Sequence, residues 1–215
     1  MFGSMLKAST LLFIACLAAP ARAQAPDRRS CHARRVPTPL SRDALMATLE
    51  EAYVNTFGEH PSKERLLVGW SHVAFENGGG ATIVNNNFGN VGPRPWETDC
   101  YYNASDNHFY RSYLTPLDGA LRYWAVIGRC RPAFDAFGAG RVGAAMAALK
   151  RCNYFEMDLD AYAHRVQVIY SYITRKVKRE EELERERRQR ELEDAELDER
   201  PEQSSVGRCD QQLSR

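Results

Sequence analysis

Along most of the chain, apolar residues recur at the three- and four-residue spacing of helices that bury one face. Behind Ser41, a good N-cap residue, Leu45, Leu49 and Tyr53 share a face, and Gly58 is placed to end the helix. Pro61 suits the first position of a second helix, which runs through the apolar stretch Leu66-Leu67-Val68-Gly69-Trp70-Ser71-His72-Val73-Ala74-Phe75 to Glu76. Thr115-Pro116-Leu117-Asp118 reads as a cap, a proline and an acidic third position, and opens a third helix with Leu117, Leu121 and Trp124 on one side. A short helix over 141–151 follows Gly138 and Gly140. Asp158 starts the last one, whose Leu159, Tyr162, Val166, Ile169, Tyr170, Ile173 and Val177 form a continuous stripe. Between Phe88 and Tyr113 the helical period breaks: aromatics alternate with Gly, Pro, Asn and Asp, predicting an irregular loop with at most a small hairpin. The predicted fold class is therefore mainly α, with a small irregular or hairpin segment and a long charged C-terminal helix.

The ends of the chain have a different character. Residues 1–23 read as an export signal: Lys7, the short apolar stretch Leu11 to Ala19, and Ala21-Arg22-Ala23 before a cleavage point at Gln24. A lipoprotein box around Cys16 fits less well because Phe13 stands three residues before it. No later segment is apolar for long enough to span a bilayer, so the mature protein is expected in the periplasm or outside the cell, without an integral membrane segment. Residues 24–39, with Pro26, Pro37 and Pro39, read as a linker carrying little fold. Residues 40–174 hold all three tryptophans and suit one compact domain. Residues 175–200 form a mixed-charge helical arm, supported by pairs one turn apart such as Glu181 with Arg185, Glu184 with Arg188 and Glu186 with Arg190. Residues 201–215 are a polar tail.

Charge excludes one class of partner. The formal total is +1, and loss of Lys7 and Arg22 with the leader brings it near −1, so no basic field attracts nucleic acid. Of six cysteines, Cys16 leaves with the signal. Cys130 and Cys152 bracket a compact Gly- and Ala-rich helical segment and are the first expected bridge, while Cys31 and Cys209 lie in the flanking segments and are placed to tie them together. No histidine pair or Cys/His cluster has metal-ligand spacing, and no cofactor motif is present.

Glu76 is the strongest candidate for chemistry. It sits at the negative end of a helix dipole beside Phe75 and Trp70, where ionisation is harder than in water, so its pKa is expected to rise. A carboxylic acid held neutral in this way is what glycoside cleavage needs to protonate the departing sugar oxygen. The developing positive charge then needs a second carboxylate or the substrate's own acetamido oxygen. Glu97 and Asp99, in Trp96-Glu97-Thr98-Asp99-Cys100, are the carboxylates whose loop should overhang a cleft. His72, one turn before Glu76, is placed to hydrogen-bond it, but a lone helical histidine is more often incidental.

The order of short motifs carries a resemblance. Glu76 after an apolar helix is followed by Asn85-Asn86-Asn87-Phe88-Gly89-Asn90-Val91-Gly92, Tyr110-Arg111-Ser112-Tyr113, Asp118-Gly119, Ala147-Ala148-Leu149-Lys150, Asn153-Tyr154-Phe155 and Tyr162-Ala163. Over residues 45–173 this resembles the bacterial glucosaminidase family of flagellar and autolysin-type peptidoglycan hydrolases. The resemblance implies a lysozyme-like helical domain that cleaves peptidoglycan glycan strands at N-acetylglucosaminyl linkages, with Glu76 as general acid, Tyr154, at the family's motif tyrosine, orienting the acetamido group or steadying the charge, and Asn85, Asn86, Phe88, Tyr110, Arg111 and Tyr113 toward the substrate. The residues themselves also suit a plainer reading: Phe88 as core, Asn85 and Asn86 as turn-makers, and at least one of Tyr110, Arg111 and Tyr113 as scaffold packing. The chain departs from the family in Asn77-Gly78-Gly79-Gly80, where a turn tryptophan is usual, in Asn87 in place of leucine, and in Asn153-Tyr154-Phe155-Glu156-Met157. A second reading of the same residues is a non-catalytic envelope binding or scaffolding protein, working through a partner of the 175–200 arm.

Overall fold

The computed structural model describes residues 31–198; the leader, the distal tail and Cys209 lie outside them. The order of elements is α1 (Arg42–Phe57), α2 (Lys63–Glu76), a 3-10 turn (Gly78–Gly80), β1 (Cys100–Asn103), β2 (His108–Arg111), α3 (Pro116–Arg129), α4 (Arg131–Gly138), α5 (Val142–Arg151) and α6 (Leu159–Asp198). The fold is mainly helical, with one small antiparallel hairpin and a long last helix, as the periodicity predicts.

Local chemistry explains the helix ends. Ser41 accepts from Ala44 N at 3.2 Å, and Gly58 closes α1 in the left-handed region at φ 76°. Ser62, not Pro61, caps α2, its Oγ accepting from Arg65 N at 3.2 Å; Pro61 stands outside the helix because the serine side chain satisfies an N–H that proline's position leaves open. Thr115 and Asp118 form the reciprocal capping box expected for α3. Asp158 caps α6 by accepting from Ala161 N. The segment between Cys130 and Cys152 is helical but divided: α4 ends and α5 begins around Gly140, which turns the chain at φ 65°.

The centre is α2, in which every residue from Leu67 to Ala74 is buried, and α1, α4 and α6 pack on it. A helix buried on all sides must satisfy its polar side chains internally. Ser71 donates to Leu67 O, and His72 finds two tyrosines. Tyr53 from α1 and Trp124 from α3 meet edge to face at 5.2 Å, and Trp124 Nε1 donates to Leu49 O, joining α1 to α3.

β1 pairs with β2 in antiparallel register from Cys100 opposite Arg111 to Asn103 opposite His108. The expectation that the segment before residue 40 carries little fold fails for residues 31–39. Ala33 N donates to Cys100 O, Asn85 N to Val36 O, Thr38 N to Ile83 O and Leu40 N to Gly80 O, and Pro37 bridges Val84. Asn85 completes the stitching, accepting from Val36 N at 2.5 Å and donating to Arg34 O and Ser112 Oγ. A proline-containing stretch reads as a linker from composition; buried asparagine amides make it a laced edge.

Cys130 and Cys152 are bridged, as expected. Cys31 is bonded to Cys100, not to Cys209: the laced segment brings Cys31 beside β1, with the Cα atoms 4.8 Å apart. The bridges close separations of 69 and 22 residues. On a chain-entropy estimate they contribute about 4 and about 3 kcal/mol. Reduction without denaturant is expected to lower the melting temperature measured by circular dichroism, with Cys31→Ser/Cys100→Ser reproducing the larger share.

The last helix is 40 residues long, about 60 Å at the usual rise. Tyr162, Val166 and Ile173 are buried against the core. Beyond them Glu180 reaches Arg42 at 3.0 Å and Glu181 reaches Lys63 at 2.6 Å. Of the expected pairs along the arm, Glu184 with Arg188 forms at 3.0 Å, whereas the Glu181 carboxylate turns to Lys63 and leaves Arg185 with the Glu181 carbonyl. Among the described residues no helix is long and apolar enough to cross a membrane.

Candidate active site

Glu76 ends α2 with its side chain largely buried, 14% exposed. Tyr162 donates its hydroxyl to Oε1, and Asn90 Nδ2 donates to Oε2 at 2.8 Å. Asn90 also reaches the Glu76 carbonyl at 3.3 Å, so one amide fixes both ends of the residue. Burial raises the Glu76 pKa, and the bonds from Tyr162 and Asn90 oppose it without reversing the direction. The expected elevation is present, and its main cause is loss of water.

Three packing features hold these groups in place. Tyr162 lies between Phe155, stacked at 3.7 Å, and Phe75, edge-on at 4.7 Å. Asn77, at the end of α2, donates to Phe88 O at 2.7 Å and pins the following loop to the helix. Gly89 sits where a Cβ would overlap the Tyr154 hydroxyl and press on Tyr123, so its lack of a side chain lets Tyr154 donate to Gly89 O at 2.8 Å.

His72 is wholly buried below the carboxyl. Its Nε2 lies 2.8 Å from the Tyr162 hydroxyl and its Nδ1 3.0 Å from that of Tyr123, which in turn approaches Gly69 O at 3.3 Å. Nε2 is 4.0 Å from Glu76 Oε1, so the two communicate through Tyr162. The reading of His72 as incidental is corrected by these contacts. Burial lowers its pKa to about 3, which keeps the ring neutral. Since this folded-state value lies below the ordinary 6.5, the residue's contribution to stability is complete above about pH 6.5 and is lost as pH falls toward 3. On the order of several kcal/mol is at stake over that window. Melting temperature against pH should therefore fall more steeply on the acid side for the wild type than for His72→Gln.

The other sequence candidates divide clearly. Tyr154 joins the site through Gly89, and burial, with the Glu76 charge second, holds its pKa well above the phenol range. Burial first, then the bond and charge of Asp106, raise the Tyr110 pKa, with the Glu76 charge the smallest of the causes, and the Tyr110 hydroxyl donates to Asp106 at 2.8 Å. Glu97 is only 11% exposed: Arg111 clamps Oε1 and Arg94 N donates to Oε2 at 2.8 Å. Both oxygens of Glu97 are engaged, so Glu97 and Arg111 order the loop for one another. Asp99 is exposed, and its carbonyl holds Ser112 N. Tyr113 is half-buried beneath the Arg111 guanidinium.

Of the residues set toward the substrate, Phe88 takes its core reading, and Asn85 and Asn86 their turn-making one. Phe88 is fully buried in the core and cannot touch a substrate. Asn85 and Asn86 are buried in left-handed conformations, with amide donors spent on Arg34 O and Ser112 Oγ, and on Tyr113 O and Leu114 O respectively. Asparagine tolerates positive φ and bonds locally to backbone, and that turn chemistry is what the motif uses here. The residues missed are Tyr162, Asn90 and Asn77. Tyr162 lies on the apolar stripe of α6, where only its polar tip, four turns from the charged arm, hints at a buried partner.

Among solved structures, the chain is similar to the glycoside hydrolase domain from Salmonella typhimurium FlgJ, at 14% identity over 70% of this chain and 99% of that one, with a TM-score of 0.48. No protein-family model matches the chain, and no curated protein matches it.

Proposed function

We propose that the chain is a lysozyme-like glycosidase acting on peptidoglycan glycan strands, at N-acetylglucosaminyl linkages, with Glu76 as general acid. The observation that carries this reading is a carboxyl group whose pKa is raised by burial, gripped by Tyr162 and Asn90, on a side chain that keeps 14% of its surface exposed. A general acid needs that combination: a pKa lifted toward the working pH and a fixed direction toward the departing oxygen. The ordered motifs from Glu76 to Tyr162 supply the substrate class.

The second role falls to the substrate. With both Glu97 oxygens committed and Tyr154 donating to Gly89 O, the acetamido oxygen of the sugar is the group left to meet the developing charge. Asp99, exposed in the same loop, is the protein's alternative carboxylate. Trp96 at 72% exposure, with Arg94 over its ring, offers a flat face for a sugar beside that loop. The test is digestion of purified sacculi by the wild type and by Glu76→Gln, Asp99→Asn and Trp96→Ala, with products identified by mass spectrometry. Reducing-end N-acetylglucosamine supports the assigned bond; reducing or anhydro muramic ends replace it. No soluble product from the wild type leaves the envelope-scaffold reading.

A further inference from the structure

Glu76, Tyr162, His72, Tyr123 and the Gly69 carbonyl form an unbroken hydrogen-bonded row from the C-terminal end of α2 to its middle. Each tyrosine has one hydroxyl hydrogen and a neutral imidazole has one N–H, so the row can be filled in two ways. With Glu76 ionised, Tyr162 donates to Oε1, His72 donates from Nε2 to Tyr162, and Tyr123 donates to Nδ1. With Glu76 protonated on Oε1, the carboxyl donates to Tyr162, whose hydrogen turns to Nε2. His72 then holds its hydrogen on Nδ1 and donates to Tyr123, and Tyr123 donates to Gly69 O. That carbonyl is the terminal acceptor the second filling requires, and it lies within reach at 3.3 Å.

We propose that His72 is a positioning residue for Glu76: it stays neutral and keeps its hydrogen on Nδ1 when Glu76 is protonated and on Nε2 when Glu76 is ionised. The two fillings differ by the one proton that Glu76 surrenders, to a sugar oxygen or to solvent, and neither leaves a charge on the ring. The titratable groups around the ring are Glu76 at the end of α2, Tyr123 from α3, Tyr162 from α6 and Tyr154 from the α5–α6 turn, while α4 presents Phe137. All three tyrosines are held neutral by burial, so none competes for the proton. The benefit falls on the acid form. A tyrosine with no second acceptor would donate only to a carboxylate and so favour ionisation. His72 gives Tyr162 somewhere else to donate, which lets the same side chain accept from the protonated acid.

The inference deepens the glycosidase reading and rests on it only for its catalytic consequence, so the decisive test does not depend on turnover. In the full chain with 15N-labelled histidine, long-range proton–nitrogen correlation spectra follow the two ring nitrogens of His72 as pH is varied, with the signals assigned by their loss in His72→Gln. The expected result is an N–H at Nδ1 below the Glu76 titration and at Nε2 above it, without an imidazolium signature between. In Glu76→Gln the amide turns its oxygen to Asn90 and its NH2 to Tyr162, so His72 should hold the Nδ1–H form throughout. One unchanging tautomer in the wild type, or an exchange that persists in Glu76→Gln, overturns the proposal. For turnover, His72→Phe should move the alkaline limb of the sacculus-digestion profile about one unit lower, and His72→Gln, whose amide can donate or accept, should restore most of it. Tautomer exchange in a chain that digests nothing removes the hydrolase and keeps the row. Digestion by the wild type that is lost in Glu76→Gln, with one unchanging tautomer in the wild type, does the opposite.

Discussion

Glu76→Gln is expected to lower sacculus digestion by at least ~10²-fold while leaving the fold intact, because a general acid in a positioned site contributes that much. The amide matches the carboxyl in shape, accepts from Asn90 and donates to Tyr162, so neither partner is left buried and alone. Stability should move the other way from activity. The folded-state pKa of Glu76 lies above the ordinary 4.5, so the stabilising contribution of its neutral form is complete below that ordinary value and is lost as pH rises through the elevated one. Glutamine does not ionise. The variant should therefore melt above the wild type at neutral pH, with the difference closing as pH is lowered toward 4.5. Thermal melts at several pH values beside a digestion assay would check both limbs, and equal turnover in the two proteins would dismiss Glu76 as the acid.

Gly119→Ala carries the second large effect, on folding. Gly119 lies in the first turn of α3, where any Cβ would overlap the backbone oxygen of Asn86 and crowd Phe88. The obstacle is backbone held by the Asn86 amide bonds to Tyr113 O and Leu114 O, so it cannot swing aside as a side-chain tip would. Either α3 backs away from α1 and draws Trp124 off Tyr53 and Leu49 O, or the loop from Asn85 to Asn90 shifts and carries the Glu76 clamp with it. A cost of about 3 kcal/mol follows, which for a domain of this size is a fall of roughly 6–12 °C in melting temperature. Calorimetry measures it, and a variant melting within about 2 °C of the wild type would show that the loop yields freely.

What was legible in the sequence follows from the range of each interaction. Ser41, Gly58, Thr115 with Asp118, and the stripe on α6 act within a few residues, so spacing alone places them. Glu76 stands out because a charged residue ends an apolar run, a contrast that survives without knowing the fold. Tyr162 does not stand out, since a tyrosine on a buried stripe looks like core until α6 is laid against α2. Asn77 and Asn90 depend on the chain folding back over 11 and 14 residues, which no local pattern records. The partner of Cys31 depends on lacing through Asn85, and composition there points to a linker. Asn85 and Asn86 invite a sugar-binding reading because a carboxamide looks the same in a sequence whether it faces a ligand or its own backbone.

Tyr162 and the exposed end of α6 belong to one uninterrupted rod. From the tyrosine that grips Glu76 to Asp198 is about 54 Å at the usual helical rise. Whatever the far end is fastened to, the carboxyl would operate at a set stand-off from the point of attachment. The helix is in that sense a ruler, with one end built into the chemistry and the other free to choose its mooring.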